Sequence, residues 1–407
     1  QDASPAPQQE VTRSPEPSEA PAPGVPARAR ALGGPAPSSL AELTTLRIGG
    51  PIGHYLEAST EEDLIEAIRQ ADASGTPLLV VGGGSNVVAS DAGFDGLVLR
   101  DGREEVRVVS ESACGGVEVT ATGGVAWDDL VHQAVASDWA GFAPLSGIPG
   151  SVGAAPVQNI GAYGAEVAEL LASVRAWDRL AGRVVHLPLA DLHLAYRDSA
   201  IKRSLTDAAI GGGRTWGPTG RWVVLSVGFH VRQASLAAPI AYNQLATALG
   251  AELGARVPAA DVRQAVLGLR RSKGMVLDDA DHDTWSAGSF FTNPILTDAQ
   301  AAALPDDAPR FPVADHSRPT DTLVGAPIVE GLVKTSAAWL IDHAGFSKGF
   351  ALDGAPRASL STKHVLALTN RGGASAADLT ALRDAVVDGV RERYGVTLVP
   401  EPVHVGW

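Results

Sequence analysis

Three short segments carry the residue types that could do chemistry. Tyr196-Arg197-Asp198-Ser199 closes a mixed apolar segment, Ser289 sits between a glycine and two phenylalanines in AGSFFTNP at 287–294, and Pro400-Glu401-Pro402 fixes a carboxylate between two rigid residues. An arginine beside a tyrosine can neutralise negative charge that develops on a flat ligand; a neighbouring Arg-Asp pair is equally a surface ion pair of little worth. Ser289 does not fit G-x-S-x-G and has no evident His-Asp partner, which argues against a hydrolase nucleophile and leaves a rigidly held hydroxyl or a serine bonded to backbone. A bare Pro-Glu-Pro is also a common turn. Arg270, Arg271 and Lys273 gather at a helix end, where they either complement the helix dipole or grip a diphosphate or carboxylate.

Two glycine-rich loops would bring a ligand to these groups. Gly82-Gly83-Gly84-Ser85-Asn86 follows a short apolar strand, a place where backbone amides hold phosphate. It lacks the Gly-Lys-Ser/Thr of a P-loop and the G-x-G-x-x-G of a dinucleotide fold. The second, GIPGSVGAAPVQNIGAYG at 147–164, lies within an uncharged run from Trp139 to Ala165. Its glycines and prolines argue against a membrane helix, and glycine lets backbone approach a large flat partner closely. Together the loops suggest one long, phosphate-bearing ligand. Histidines 282, 316, 343, 364 and 404 show no metal-ligand spacing, so no catalytic metal is expected.

The elements that must position these groups read as alternating helices and strands. A helix starts at Ser59-Thr60 with acidic residues in its first turn and closes at Gly75; a strand over 78–81 feeds the first glycine loop. Strands are expected over 117–122, 174–177, 184–187 and 222–231, with a hairpin tip at 211–220. Helices are expected over 127–137, from 258 to about 271, over 297–304 and 336–343, and from the Ser375 cap to Gly395. A terminal strand is expected over 396–403.

The 407 residues suggest two or three domains. A net charge of −14 argues against general nucleic-acid binding but permits a local basic pocket. The single cysteine, Cys114, excludes an intramolecular disulfide and fits a reducing cytoplasm; no basic-then-apolar leader is present, so secretion is not expected. Residues 1–37 hold nine prolines and no aromatic residue, a composition that predicts disorder.

In their order these segments resemble the UDP-N-acetylenolpyruvoylglucosamine reductases. The match rests on TTLRIGGP at 44–51, GGGSNVV at 82–88, the 147–164 stretch, YRDS at 196–199, Tyr242 in AYNQL, RRSKGMVLD at 270–278, SAGSFFTNP at 286–294, AAWLI at 337–341 and the segment from Leu398 to Glu401. The resemblance implies an α+β protein: a vanillyl-alcohol-oxidase (PCMH-type) FAD-binding domain of two α/β subdomains over 38–233, a connecting segment over 234–274 with substrate contacts, and a C-terminal α+β substrate-binding domain over 275–407. The last strand of that domain would return to the active site. It implies non-covalent FAD, its diphosphate on Gly82, Gly83, Gly84, Ser85 and Asn86. Arg47, Gly150, Ser151, Gly153, Asn159, Gly161, Tyr163 and Tyr196 would contact the rest.

The family's catalytic arginine, serine and glutamate fall on Arg197, Ser289 and Glu401, and its substrate contacts on Tyr242, Lys273 and Asn293. NADPH would reduce the flavin, which would pass hydride to the enolpyruvyl methylene of UDP-N-acetylglucosamine enolpyruvate, making UDP-N-acetylmuramate for peptidoglycan. Arg197 and a protonated Glu401 would then hold the enolate-like oxygens while Ser289 protonates the α-carbon. A cytoplasmic monomer without nucleic-acid or membrane partners is implied. Two positions depart from the pattern: Val399 replaces a glutamate common before Pro-Glu, and Phe311 stands where some relatives have a substrate-closing tyrosine. A same-fold oxidase of sugars or alcohols and a non-catalytic UDP-sugar-binding relative are the alternatives.

Overall fold

A computed structural model describes residues 36–112, 116–314, 327–354 and 357–407. Cys114, His316 and nearly all of the segment expected to be disordered lie outside the described residues.

The first subdomain contains β1 (Ile52–Ala58), α1 (Glu61–Ser74), β2 (Leu78–Val81), β3 (Val87–Ala89) and β4 (Phe94–Asp101). Thr60 starts α1 by accepting the Asp63 amide, and Gly75 ends it in the left-handed conformation at φ 70°. The helix buries Leu64, Ala67, Ile68 and Ala71 against a parallel sheet ordered β1-β4-β2. Parallel strands need such a crossover helix between them.

The second subdomain begins with β5 (Val106–Ser112), β6 (Gly116–Thr122), α2 (Trp127–Ala136), the one-turn α3 (Ala155–Gln158), β7 (Gly161–Ala162) and β8 (Ala165–Glu166). It continues through β9 (Leu171–Asp178), β10 (Arg183–Pro188), α4 (Ala200–Arg203) and β11 (Trp222–Val231). Its five-stranded antiparallel sheet has the order β10-β9-β11-β6-β5. Trp127, Phe142 and Phe229 pack on one another beneath it, the two phenylalanine rings edge to face at 5.4 Å. The 211–220 segment is not a hairpin tip. The strand after it, β11, pairs with β9 and β6, so the glycines span a loop from α4 into the middle of the sheet.

Two helices, α5 (Asn243–Leu249) and α6 (Ala259–Ser272), pack together through Leu245, Val262 and Val266 and against Ala143. The remaining elements are β12 (Ile295–Thr297), α7 (Asp298–Ala302), β13 (Arg310–Ala314), β14 (Ile328–Thr335), α8 (Ala337–His343), β15 (Ala358–Leu360), β16 (Leu368–Asn370), α9 (Ala376–Tyr394) and β17 (Val403–Val405). The helix expected over 297–304 is shorter, because Thr297 ends a strand paired with β14 and then caps α7. The helix α9 follows its sequence signals: Ser375 and Asp378 form a capping box, Gly395 closes it, and Leu379, Leu382, Val386 and Val390 face the core.

The terminal strand is displaced. Val396 and Leu398 are buried in the C-terminal core, and Pro400 and Pro402 offer no amide to a ladder. The strand forms only at 403–405, and it does so parallel to β3 of the first subdomain. Other ties join the same two regions. The Thr45 hydroxyl donates to Ser286 O at 2.7 Å, and Asn370 donates to Leu46 O at 3.0 Å. Asp91 accepts the first amides of α9, from Ala376 and Ala377, where a carboxylate also complements the helix dipole.

Candidate active site

Both glycine loops fold onto one another. A Cβ added to Gly82 would meet Ser151 Oγ at 2.4 Å, and one added to Gly83 would meet Gly150 Cα at 2.8 Å; only glycine permits that approach. The second loop is anchored from below. Asp128 accepts the Gly147 amide at 2.6 Å and pairs with the buried Arg263 at 2.6 Å, while Arg270 donates to Gly147 O at 3.0 Å. The result is one long trough. A cavity of ≈ 400 Å³ runs into a second of ≈ 210 Å³, and Ser85, Asn86, Gly150, Ser151 and Gln158 line both.

The larger cavity gathers groups distant in sequence. Arg197, Ser289 and Glu401 all line it. Arg197 adopts a left-handed backbone at φ 55°, which costs a non-glycine residue conformational energy. That conformation sends its guanidinium to Gly161 O at 2.6 Å and Asn159 O at 3.3 Å, with Nε 3.5 Å from Glu401 Oε1. Gln158 Nε2 donates to the same Glu401 oxygen at 3.0 Å, and the Glu401 amide is fixed on Phe290 O at 2.9 Å. Ser289 Oγ lies 3.3 Å from His364 Nε2. Glu401 and Ser289 are thus held by adjoining backbone, since Phe290 follows the serine.

The rest of the cavity wall is aromatic and cationic. Tyr163 and Tyr242 meet edge to face at 5.8 Å, Lys273 Nζ donates to Gln244 at 2.7 Å, and Asn293 accepts the Ala337 amide at 3.0 Å. Burial, then the neighbouring Arg270 and Lys348 charges, lowers the Lys273 pKa; burial raises those of the Tyr163 and Tyr196 phenols. A cluster of positive groups with a desolvated lysine attracts an anion.

Most residues expected at the site line the trough: Gly82, Gly83, Gly84 and Gly153 its smaller end, Gly161, Tyr163, Tyr196, Tyr242, Lys273 and Asn293 its larger, and Ser85, Asn86, Gly150 and Ser151 the junction. Arg47 and Asn159 line neither cavity. The Arg47 guanidinium stacks 3.8 Å over Trp285 and pairs with Asp279, bridging to the C-terminal region. Asn159 is fully buried, its amide spent on Glu166 and Ala195, and it supports Arg197 from behind. Phe311 lines neither cavity and is half exposed. Sequence reasoning missed Gln158, which lies inside the 147–164 stretch but was given no role of its own, and His364, which stands outside the matched segments. Among the described residues, no His, Cys, Asp or Glu cluster could hold a metal, and no helix is long and apolar enough to cross a membrane.

The trough suits FAD. Its glycine cradle fits a diphosphate, and Ile148, Pro149, Ala154 and Ile160 give the uncharged wall that a flavin ring needs. Residues 52–188 match the family described as "FAD binding domain", and residues 279–405 match "UDP-N-acetylenolpyruvoylglucosamine reductase, C-terminal domain". Fold and trough together define an FAD-dependent oxidoreductase. Similar proteins include the UDP-N-acetylenolpyruvoylglucosamine reductases of Cutibacterium acnes, 47% identical over 90% of this chain and 89% of the relative, and of Saccharopolyspora erythraea, 49% identical over 90% and 94%. The chain belongs to the UDP-N-acetylenolpyruvoylglucosamine reductase family. In the solved structures, MurB of Thermus caldophilus shares the fold, with a TM-score of 0.56 at 21% identity over 90% of this chain and 97% of that one. The expected fold class, an FAD-binding domain joined to a C-terminal α+β domain, is borne out.

Proposed function

We propose that this chain uses NADPH to reduce UDP-N-acetylglucosamine enolpyruvate to UDP-N-acetylmuramate, in the cytoplasm, as a step of peptidoglycan precursor synthesis that serves cell growth and division. The observation that carries the reading is the convergence of Arg197, Glu401 and Ser289 on one cavity continuous with the glycine cradle. Residues 38–233 hold the cofactor, 234–274 connect, and 275–407 receive the substrate.

When held in the glycine cradle, FAD would supply the hydride, drawn from NADPH, for the enolpyruvyl methylene carbon. As that C–H bond forms, the alkene electrons move toward the carboxylate. Arg197, already held by two backbone carbonyls, faces the two oxygens that gain charge without having to reorganise. Glu401, held through Oε1 by Gln158 and Arg197, as the carboxylic acid donates a further hydrogen bond at the same group. Ser289 gives its hydroxyl proton to the α-carbon, completing the saturated lactyl ether. An alcohol is a weak acid, but the enediolate carbon is a strong base, so transfer is downhill in the right geometry. Lys273 holds the nucleotide diphosphate, and Tyr242 and Asn293 contact the substrate. Arg47 and Asn159 act from behind the trough, one on the C-terminal region and one on Arg197.

Purified protein should be yellow, bleach with NADPH in the absence of air, and regain colour when the enolpyruvyl UDP-sugar is added. Failure of the last step overturns the reading, and rapid reoxidation by oxygen alone would favour an oxidase of the same fold.

A further inference from the structure

We propose that His364 is the positioning residue for Ser289, its Nε2–H donating to the serine oxygen so that the hydroxyl proton is left aimed into the cavity. The inference rests on the proposed role of Ser289 as proton donor. A hydroxyl that gives its proton to carbon cannot be held by an acceptor, which would draw that proton away. It must instead be held by a donor on its oxygen, and that donor also stabilises the alkoxide left behind. The group within reach of Ser289 Oγ is His364 Nε2, at 3.3 Å, and both side chains line the same cavity.

The loop that carries the ring is preorganised. His364 lies in the turn joining β15 to β16. Ser361, fully buried, accepts the amides of Lys363 at 3.0 Å and His364 at 3.2 Å. Buried Asp283 accepts the Thr362 amide at 2.9 Å and its hydroxyl at 2.5 Å, and is paired with Arg371 at 2.8 Å. Phe290, the residue after the serine, donates to Leu366 O at 2.8 Å. Serine and imidazole therefore stand on backbone tied together two residues beyond the ring, which fixes their separation.

The surroundings favour the neutral ring. Burial, followed by the positive charges of Lys273, Lys348 and Arg270, lowers the His364 pKa to about 4. A neutral ring carries one N–H, which the proposed role places on Nε2. The same cations lower the cost of the alkoxide.

The test uses the flavin-loaded enzyme in anaerobic stopped flow, with the two half-reactions followed separately in His364→Leu, His364→Gln and Ser289→Ala. His364→Leu should leave reduction by NADPH within about twofold and slow reoxidation by the enolpyruvyl UDP-sugar by roughly a hundredfold, the scale of one lost donor to a developing oxyanion. His364→Gln, which places an amide N–H near the Nε2 position, should recover about tenfold of that loss. Wild-type reoxidation in His364→Leu, or no recovery in His364→Gln, overturns the proposal while leaving the Ser289 assignment intact if Ser289→Ala is slow. Wild-type reoxidation in Ser289→Ala would instead remove the reading on which the proposal stands.

Discussion

Arg197 and Glu401 meet with Nε 3.5 Å from Oε1, although one comes from a loop of the cofactor region and the other from the last turn of the chain before β17. The arginine is not free to swing: two carbonyls of the 159–161 backbone hold it. Arg197→Lys would keep the charge but lose the fork that reaches carbonyls and ligand together. We expect a slowing of substrate-driven flavin reoxidation by roughly 10²–10³-fold, with NADPH-driven reduction affected far less. Single-turnover absorbance of the flavin measures both.

The glycine cradle predicts a steric effect on cofactor affinity. In Gly83→Ala the new Cβ would stand 2.8 Å from Gly150 Cα, with backbone on both sides. Overpacking of this kind costs about 1–3 kcal/mol, so FAD should bind roughly 5- to 150-fold more weakly, read as loss of flavin absorbance on dilution. Gly268→Ala is the control. Gly268 lies inside α6 with nothing within 4 Å of an added Cβ, and its replacement should raise stability by about 0.5–1 kcal/mol.

Asp128 and Arg263 form an ion pair with side-chain exposures of 3% and 7%, and Asp128 also holds the Gly147 amide. Removing one member leaves a buried charge unpaired. Asp128→Ala should therefore cost about 3–5 kcal/mol of stability and loosen the 147–164 loop, visible as a lower denaturation midpoint together with flavin loss.

His364 gives stability a pH dependence of known sign. Its ring is neutral in the folded protein down to about pH 4, whereas in the unfolded chain it protonates near its usual 6.5. Above about pH 6.5 neither state binds the proton and there is no penalty. As pH falls from there toward 4, the unfolded state gains a proton that the native state resists, so stability declines. Thermal midpoints measured at pH 7 and pH 5 should fall further apart in the wild type than in His364→Gln.

Arg47 separates two roles by one measurement. If its contacts with Trp285 and Asp279 are its main task, Arg47→Ala should lower stability by about 1 kcal/mol while FAD affinity stays within about twofold. A tenfold loss of FAD affinity would restore it to the cofactor.

What was legible in the sequence was local. Thr60 with its three acids, Gly75, Ser375 and Gly395 each act within a few residues, and α1 and α9 follow from them. The strand before the first glycine loop was legible for the same reason. The terminal strand was not, because burial of Leu398 and the missing amides of two prolines shift it to a partner in a distant subdomain. The left-handed backbones of Arg47, Asn159, Tyr163 and Arg197 leave no mark on residue type, unlike those of glycine. Placement in motifs located Arg197, Ser289 and Glu401. It could not single out Gln158 within the 147–164 stretch, nor His364 outside the motifs, because their importance lies in what they touch.

The pairing of β17 with β3 also sets an order of events in synthesis. The glycine cradle, Arg197 and Ser289 all leave the ribosome before Glu401 does, so a nascent chain can acquire its cofactor pocket while still lacking the carboxylate. The carboxylate is brought in when the last short strand docks beside Val87–Ala89. Competence then arrives only once β17 has docked, and a variant lacking β17 should yield a coloured but idle protein.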